Sequence, residues 1–180
     1  MAVTQQEHRQ TSALPAIEAW TYDYAWVLKQ NHSAMVDYLV GHDGFSRSKA
    51  QAMVGALSAR VTMRAVKQDV VLGLDQAQAD MLWDGALGYL VLRSLTPDQH
   101  YPPAPLIDRI FEHFLLYTHE ADALGHAMKI GRIHHLPNDV PGHFEPGLTL
   151  NHTLEAMERL GLPRNPGWHV DPISAAPCVD

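Results

Sequence analysis

Eight of the twelve histidines fall between residues 113 and 169, and several of them are interleaved with carboxylates. The segment from Pro105 carries Asp108, Glu112, His113, His119, Asp122 and His126. A short stretch later comes Gly131-Arg132-Ile133-His134-His135-Leu136-Pro137. On one helix running from Pro105 to about Met128, seven residues turn the chain by about 700°, within ~20° of two full turns. Glu112, His119 and His126 would then stand nearly in one row, beside the apolar face of Ile110 and Phe114. His134 and His135 point to opposite sides if the loop is extended there, so at most one faces the helix unless the loop turns between them. Imidazole and carboxylate together suit zinc, iron, copper or nickel. Two histidines and one carboxylate with open positions suit non-haem iron(II) or a catalytic zinc. The plainer reading of the same residues is a solvated helix face with His–acid pairs at i,i+3 and i,i+4. The His-Glu-x-x-His signature is absent, because no i,i+4 histidine pair occurs near His113.

Other chemistries find less support. Cys178 is the one cysteine, which excludes an internal disulfide framework and a cysteine-rich zinc module. It lies in a short tail without a fixed base. Gly85-Ala86-Leu87-Gly88 sits inside a helical pattern and reads as a close helix contact, not a phosphate loop. No nucleophile elbow occurs. A formal charge of −7 argues against nucleic acid or an anionic membrane as the main partner. Protonating all twelve histidines would carry that charge from −7 to +5, so a histidine-rich surface would respond to pH.

These side chains need elements to hold them. Proline divides the chain: only Pro15 precedes residue 97, and the other eleven lie from Pro97 to Pro177. Ile17, Trp20, Tyr24, Val27 and Leu28 predict a first helix. Met35, Val36, Leu39 and Val40 predict a short second one, closed by Gly41. Ser46 caps a third, with Met53, Val54, Leu57, Val61, Ala65 and Val70 inside and Gly73 at its end. Asp75 caps a fourth, with Leu82, Ala86, Tyr89 and Leu90 on its face, and Thr96-Pro97 stops it. Pro105 opens the fifth. Thr149 caps the last, and Gly161 ends it. Trp83 reads as core, as do Trp20 and Trp26; Trp168 reads as the cover of a loop or pocket edge. His32, His42 and His100 read as ordinary surface residues near ends or turns. The expectation is an all-α single domain of five to six helices over residues 13–170, with a proline-rich, irregular C-terminal half. Residues 1–12 and 171–180 are expected to be flexible. With no apolar run near the roughly 18 residues of a membrane span and no signal peptide, a cytoplasmic protein is expected.

Leu106-Ile107-Asp108-Arg109-Ile110-Phe111-Glu112-His113-Phe114-Leu115-Leu116-Tyr117-Thr118, together with Gly131-Arg132-Ile133-His134-His135-Leu136-Pro137, resembles the bacterial members of the glycine-rich domain-containing-protein-like family. That family has a helix reading Val-Asp-x-x-Trp-His-x-Phe-Ile-Leu-x-Thr and later Gly-x-x-Ile-His-His-x-Pro. The resemblance covers about residues 75–170, and Asp108, Thr118, His134 and His135 are its specific matches. The family's Trp-His is Phe111-Glu112 here, and its Tyr and Phe-Cys fall at Ala121 and Leu124-Gly125. The resemblance implies an architecture and a site, not a reaction. In that site Glu112 would replace the family's histidine, and His119 or His126 its cysteine; the alternative is a degenerate site.

The expectation that follows is a small metal-dependent enzyme acting on a small molecule, such as a tailoring enzyme of secondary metabolism. Glu112, His119 and one or both of His134 and His135 would hold a divalent metal, iron or zinc. Asp108 would orient a ligating histidine, and Thr118 would hydrogen-bond substrate or a bound water. The alternative is a non-catalytic helical interaction module with a pH-responsive histidine surface. Haem held by one histidine is a third possibility, and the oligomeric state is left open.

Overall fold

The computed structural model describes residues 30–133 and 149–168. The predicted first helix, Trp20, Trp26, His134, His135 and Cys178 lie outside these residues. The described residues form six α-helices and no strand: α1 (Gln30–Asp43), α2 (Arg47–Gln68), α3 (Gln76–Leu95), α4 (Pro105–Leu115), α5 (Thr118–Ala127) and α6 (Leu150–Arg159). A single 3-10 turn follows at Pro166–Trp168. The all-α expectation holds. No described helix is long and apolar enough to cross a membrane.

α3 is the axis of the fold. Every residue from Met81 to Leu92 is buried, and a helix that is apolar on all sides must be surrounded. α1, α2, α4 and the 3-10 turn all pack on it. Asp75 starts α3 with a capping box: Gln78 N donates to Asp75 Oδ1 at 2.8 Å, and Asp75 N donates to Gln78 Oε1 at 2.9 Å. An aromatic chain runs off α3, with Trp83 5.3 Å from Phe114, Phe114 5.4 Å from Phe111, and Phe111 6.1 Å from Tyr89. The Tyr89 hydroxyl donates to Tyr101 O at 2.7 Å, and burial pushes it up to about 12.

The Gly85–Gly88 segment admits close contact, as expected. A Cβ on Gly85 would stand 2.5 Å from Ile107 Cδ1 and 3.1 Å from Trp168 Nε1. Trp168 is therefore in the core, buried against α3, and not a pocket edge.

Three boundaries differ from expectation. α1 runs through Gly41 to Asp43, and the left-handed glycine that follows its end is Gly44, at φ +65°. α2 ends at Gln68, five residues before Gly73, because Asp69 leaves the helix to meet α4. Val70 is then 88% exposed and not on the buried face.

The third difference matters most for the site. The helix expected from Pro105 to about Met128 is two helices, broken at Leu116–Tyr117. Neither proline nor glycine marks the break. Arg60 of α2 holds the start of α5 twice: its carbonyl accepts from the Tyr117 hydroxyl at 3.2 Å, and its guanidinium pairs with Glu120. The far end of α5 is tied to α1, where the Tyr38 hydroxyl donates to Met128 O at 3.2 Å. α5 is thus strung between two other helices, and its direction is a tertiary property.

Candidate functional site

The break dissolves the row on which the metal expectation was built. Glu112 is on α4, and His119 and His126 are on α5. Glu112 accepts from Arg109 Nη1 at 2.8 Å. Arg109 Nε in turn donates to Asp69 Oδ2 at 2.7 Å. His119 and His126 are exposed, as is Thr118 at the first position of α5. Asp108 is half-buried in the first turn of α4, where its charge favours the helix N-terminus. Among the described residues, no three His, Cys, Asp or Glu side chains are grouped as a metal ion would need. His134 and His135 lie outside the described residues, so any site they complete is not part of this geometry.

Two carboxylates that carried no expectation, Asp69 and Asp84, are buried in the fold. Asp69 has a fully buried side chain beside Arg109 and His113. Burial alone would raise its carboxyl. Hydrogen bonds from Arg109, His113 and the Leu72 amide, with the Arg109 charge, reverse that and hold it below its ordinary value. His113 Nε2 is 3.1 Å from Asp69 Oδ2, while Nδ1 is buried without a hydrogen-bond partner. The Asp69 cluster therefore ties α4 to the end of α2.

Asp84 is different. It projects from α3 to the N-terminus of α1 and caps that helix from outside. Its Oδ1 accepts from His32 N at 2.9 Å. Its Oδ2 accepts from Asn31 Nδ2 at 3.0 Å and, more distantly, from Asn31 N at 3.4 Å. The first amides of a helix have no partner within the helix, so a carboxylate there is well placed. Among the described residues no lysine or arginine bonds to Asp84, and it is 3% exposed. Burial pushes its carboxyl from 3.8 up to about 6; the hydrogen bonds from the His32 amide and from Asn31 act the other way without overcoming it.

Asp84 also lines a cleft of about 540 Å³ between the start of α1, the middle of α2 and the first half of α3. His32, Ser58, Thr62, Gln76 and Asp80 supply its other polar atoms, and Ala59, Met63, Trp83 and Leu87 its apolar ones. The polar wall is internally bonded. Trp83 Nε1 donates to Ser58 Oγ at 2.8 Å, and Gln76 Nε2 donates to Thr62 Oγ1 at 2.9 Å and to Asp80 Oδ1 at 2.7 Å. Such bonds fix side-chain positions before any ligand arrives, as a binding cleft requires. Asp80 and Asp84 are one turn apart on α3 and both open on this space.

Sequence reasoning read His32 as a surface residue and did not single out Asp84. One signal was available for Asp84: an acid inside a stretch apolar on every side must be buried, and buried acids are paired or functional. Its partners lie 52 and 53 residues away, beyond any local pattern.

No protein-family model, curated protein or solved structure matches the chain. The class that fold and site define is an all-α protein with a preformed cleft built around a buried carboxylic acid.

Proposed function

We propose that the protein binds a small molecule in the α1–α2–α3 cleft and that Asp84 exchanges a proton with it as general acid or base. The carrying observation is a carboxyl group raised to about 6 on the wall of a cleft of about 540 Å³. A group titrating near neutrality holds both protonation states at working pH, which acid–base catalysis favours. Trp83 and Leu87 would contact the apolar part of the ligand, and Asp80 and His32 its polar end.

The test is retention of compounds from a metabolite mixture, read by mass spectrometry. Ala59 is an exposed lining residue, so Ala59→Trp fills the cleft without disturbing the core. A compound held by the wild type and released by Ala59→Trp supports the reading. Identical retention by both proteins overturns it.

The second reading is the metal-dependent enzyme, and one observation favours it. Gly125 of α5 lies against the chain just before the histidine pair: a Cβ on Gly125 would meet Gly131 O at 2.1 Å. Ile133 is buried in the same contact. The chain is therefore pinned to α5, near Asp122 and His126, one residue before His134. In this reading His134 or His135 would join histidine or carboxylate ligands of α5 around iron or zinc, and the salt-bridged Glu112 is no longer the natural carboxylate. Elemental analysis of untagged protein tests it. Stoichiometric iron or zinc that His134→Ala with His135→Ala removes supports it; a metal content that this pair leaves unchanged overturns it.

A further inference from the structure

The cleft is uneven in charge. Its lining includes two carboxylates, Asp80 and Asp84, and no lysine or arginine among the described residues. His32 is its one basic side chain among the described residues, and the His32 backbone amide is already spent on Asp84. Asp80 Oδ1 accepts from Gln76, while Oδ2 has no partner among the described residues. Asp84 is bonded through three N–H donors of Asn31 and His32 but has no counter-charge among the described residues. A carboxylate has room for about four hydrogen bonds, so both acids keep acceptor capacity. The apolar lining comes from two helices, Ala59 and Met63 of α2 and Trp83 and Leu87 of α3.

We propose that the cleft selects a small amphipathic amine, its ammonium group set between Asp80 and Asp84 and its apolar part against Met63 and Leu87. This deepens the proposed function and rests on the cleft being the binding site. The physical reason is that a buried carboxylate without a cation leaves its desolvation uncompensated. An ammonium ligand supplies both the charge and up to three N–H donors. Anionic ligands meet two carboxylates in a confined space, where repulsion is strongest. Of the α2 guanidinium groups next to the lining residues Ala59 and Met63, Arg60 is engaged with Glu120 and Arg64 lies over the Tyr117 ring.

The experiment is a titration followed by amide and indole N–H resonances. The probes are ammonium, alcohol and carboxylate compounds on the same benzyl, butyl and indolylethyl skeletons. The reporters are the Trp83 indole N–H and the His32 amide. The expected result is saturable shifts of both reporters by the ammonium member of at least one skeleton. Its alcohol and carboxylate counterparts should bind at least fivefold more weakly. Asp80→Asn, on a half-exposed residue with one side-chain bond, should weaken the ammonium probe at least threefold while the fold is kept. Alcohols or carboxylates binding as well as ammonium compounds would overturn the charge selection and leave the cleft reading standing. Ammonium binding indifferent to Asp80→Asn would also overturn it. Reporters unmoved by every probe would overturn the selection and the cleft reading together.

Discussion

Gly88 lies directly beneath Asn31: a Cβ on Gly88 would stand 2.5 Å from Asn31 Oδ1 and 2.8 Å from its Cγ. The missing side chain lets the Asn31 amide lie flat on α3. From there Nδ2 reaches both Asp84 Oδ2 at 3.0 Å and Pro163 O at 3.1 Å. One small residue thus positions the group that joins α1, α3 and the segment before the 3-10 turn. The accompanying cost is visible, because Asn31 Oδ1 is buried without a donor.

Gly88→Ala should therefore destabilise the protein, although alanine is intrinsically the better helix residue by about 1 kcal/mol. Displacing Asn31 breaks two buried hydrogen bonds, worth about 2–4 kcal/mol together once the unmade partners are included. Urea unfolding measures this. In an Asn31→Ala background the same substitution should cost much less, since the clash is gone. Equal costs in both backgrounds would contradict the role assigned to Gly88.

Asp84 makes stability depend on pH in a definite direction. Its folded-state value, about 6, lies above the ordinary 3.8, so the folded state binds this proton more tightly. The contribution is full below about pH 4 and is lost as pH rises through 6. A shift of about 2 units corresponds to about 3 kcal/mol. Asp84→Asn should remove this slope. Relative to the wild type its cost should therefore shrink by about 3 kcal/mol between pH 4 and 7.5. Unfolding free energies of both proteins between pH 4 and 7.5 would show converging curves; parallel curves would count against it.

Asp69 acts in the opposite sense. Its carboxyl is held below its ordinary value, so its contribution is present above about pH 4 and is lost as pH falls through the folded value. Arg109→Ala removes the strongest partner of a fully buried side chain. The acid-unfolding midpoint should move to higher pH, with about 1–3 kcal/mol lost at neutrality. Circular dichroism followed from pH 7 to 2 reads the midpoint; an unmoved midpoint would show that His113 and Leu72 suffice to hold Asp69.

Gly125→Ala tests the chain approaching the histidine pair. The added Cβ would fall 2.1 Å from a backbone oxygen, that of Gly131, which cannot rotate away as a side-chain tip can. The 131–133 segment must move, exposing Ile133, at about 1–3 kcal/mol by the usual range for overpacking. Faster amide exchange at Ile133 with α1–α3 unaffected is the expected signature. If the protein also holds iron or zinc, occupancy should fall with it.

Much of this fold was legible as local chemistry. Ser46, Asp75, Pro105 and Thr149 mark helix starts that the structure reproduces, because capping is decided within one turn of backbone. The helix after Asp75 was legible as a helix with Leu82, Ala86, Tyr89 and Leu90 on one face, but its burial on all sides was not. The apparent Glu112–His119–His126 row was a different matter. Periodicity counts residues as though the helix continues, and nothing local near Leu116 says that it stops.

The sequence by itself determined the all-α class and the helix starts at Ser46, Asp75, Pro105 and Thr149, through interactions that span a few residues. The tertiary structure alone decided where α5 points, because Arg60 and Tyr38, far away in sequence, hold its two ends. It also decided which acids matter. Glu112 ends in a surface-facing ion pair, while Asp84 becomes a buried cap at the wall of a cleft. A carboxyl group's chemistry is set by the water it loses and the donors it meets, and those are supplied by whatever the packed chain brings against it.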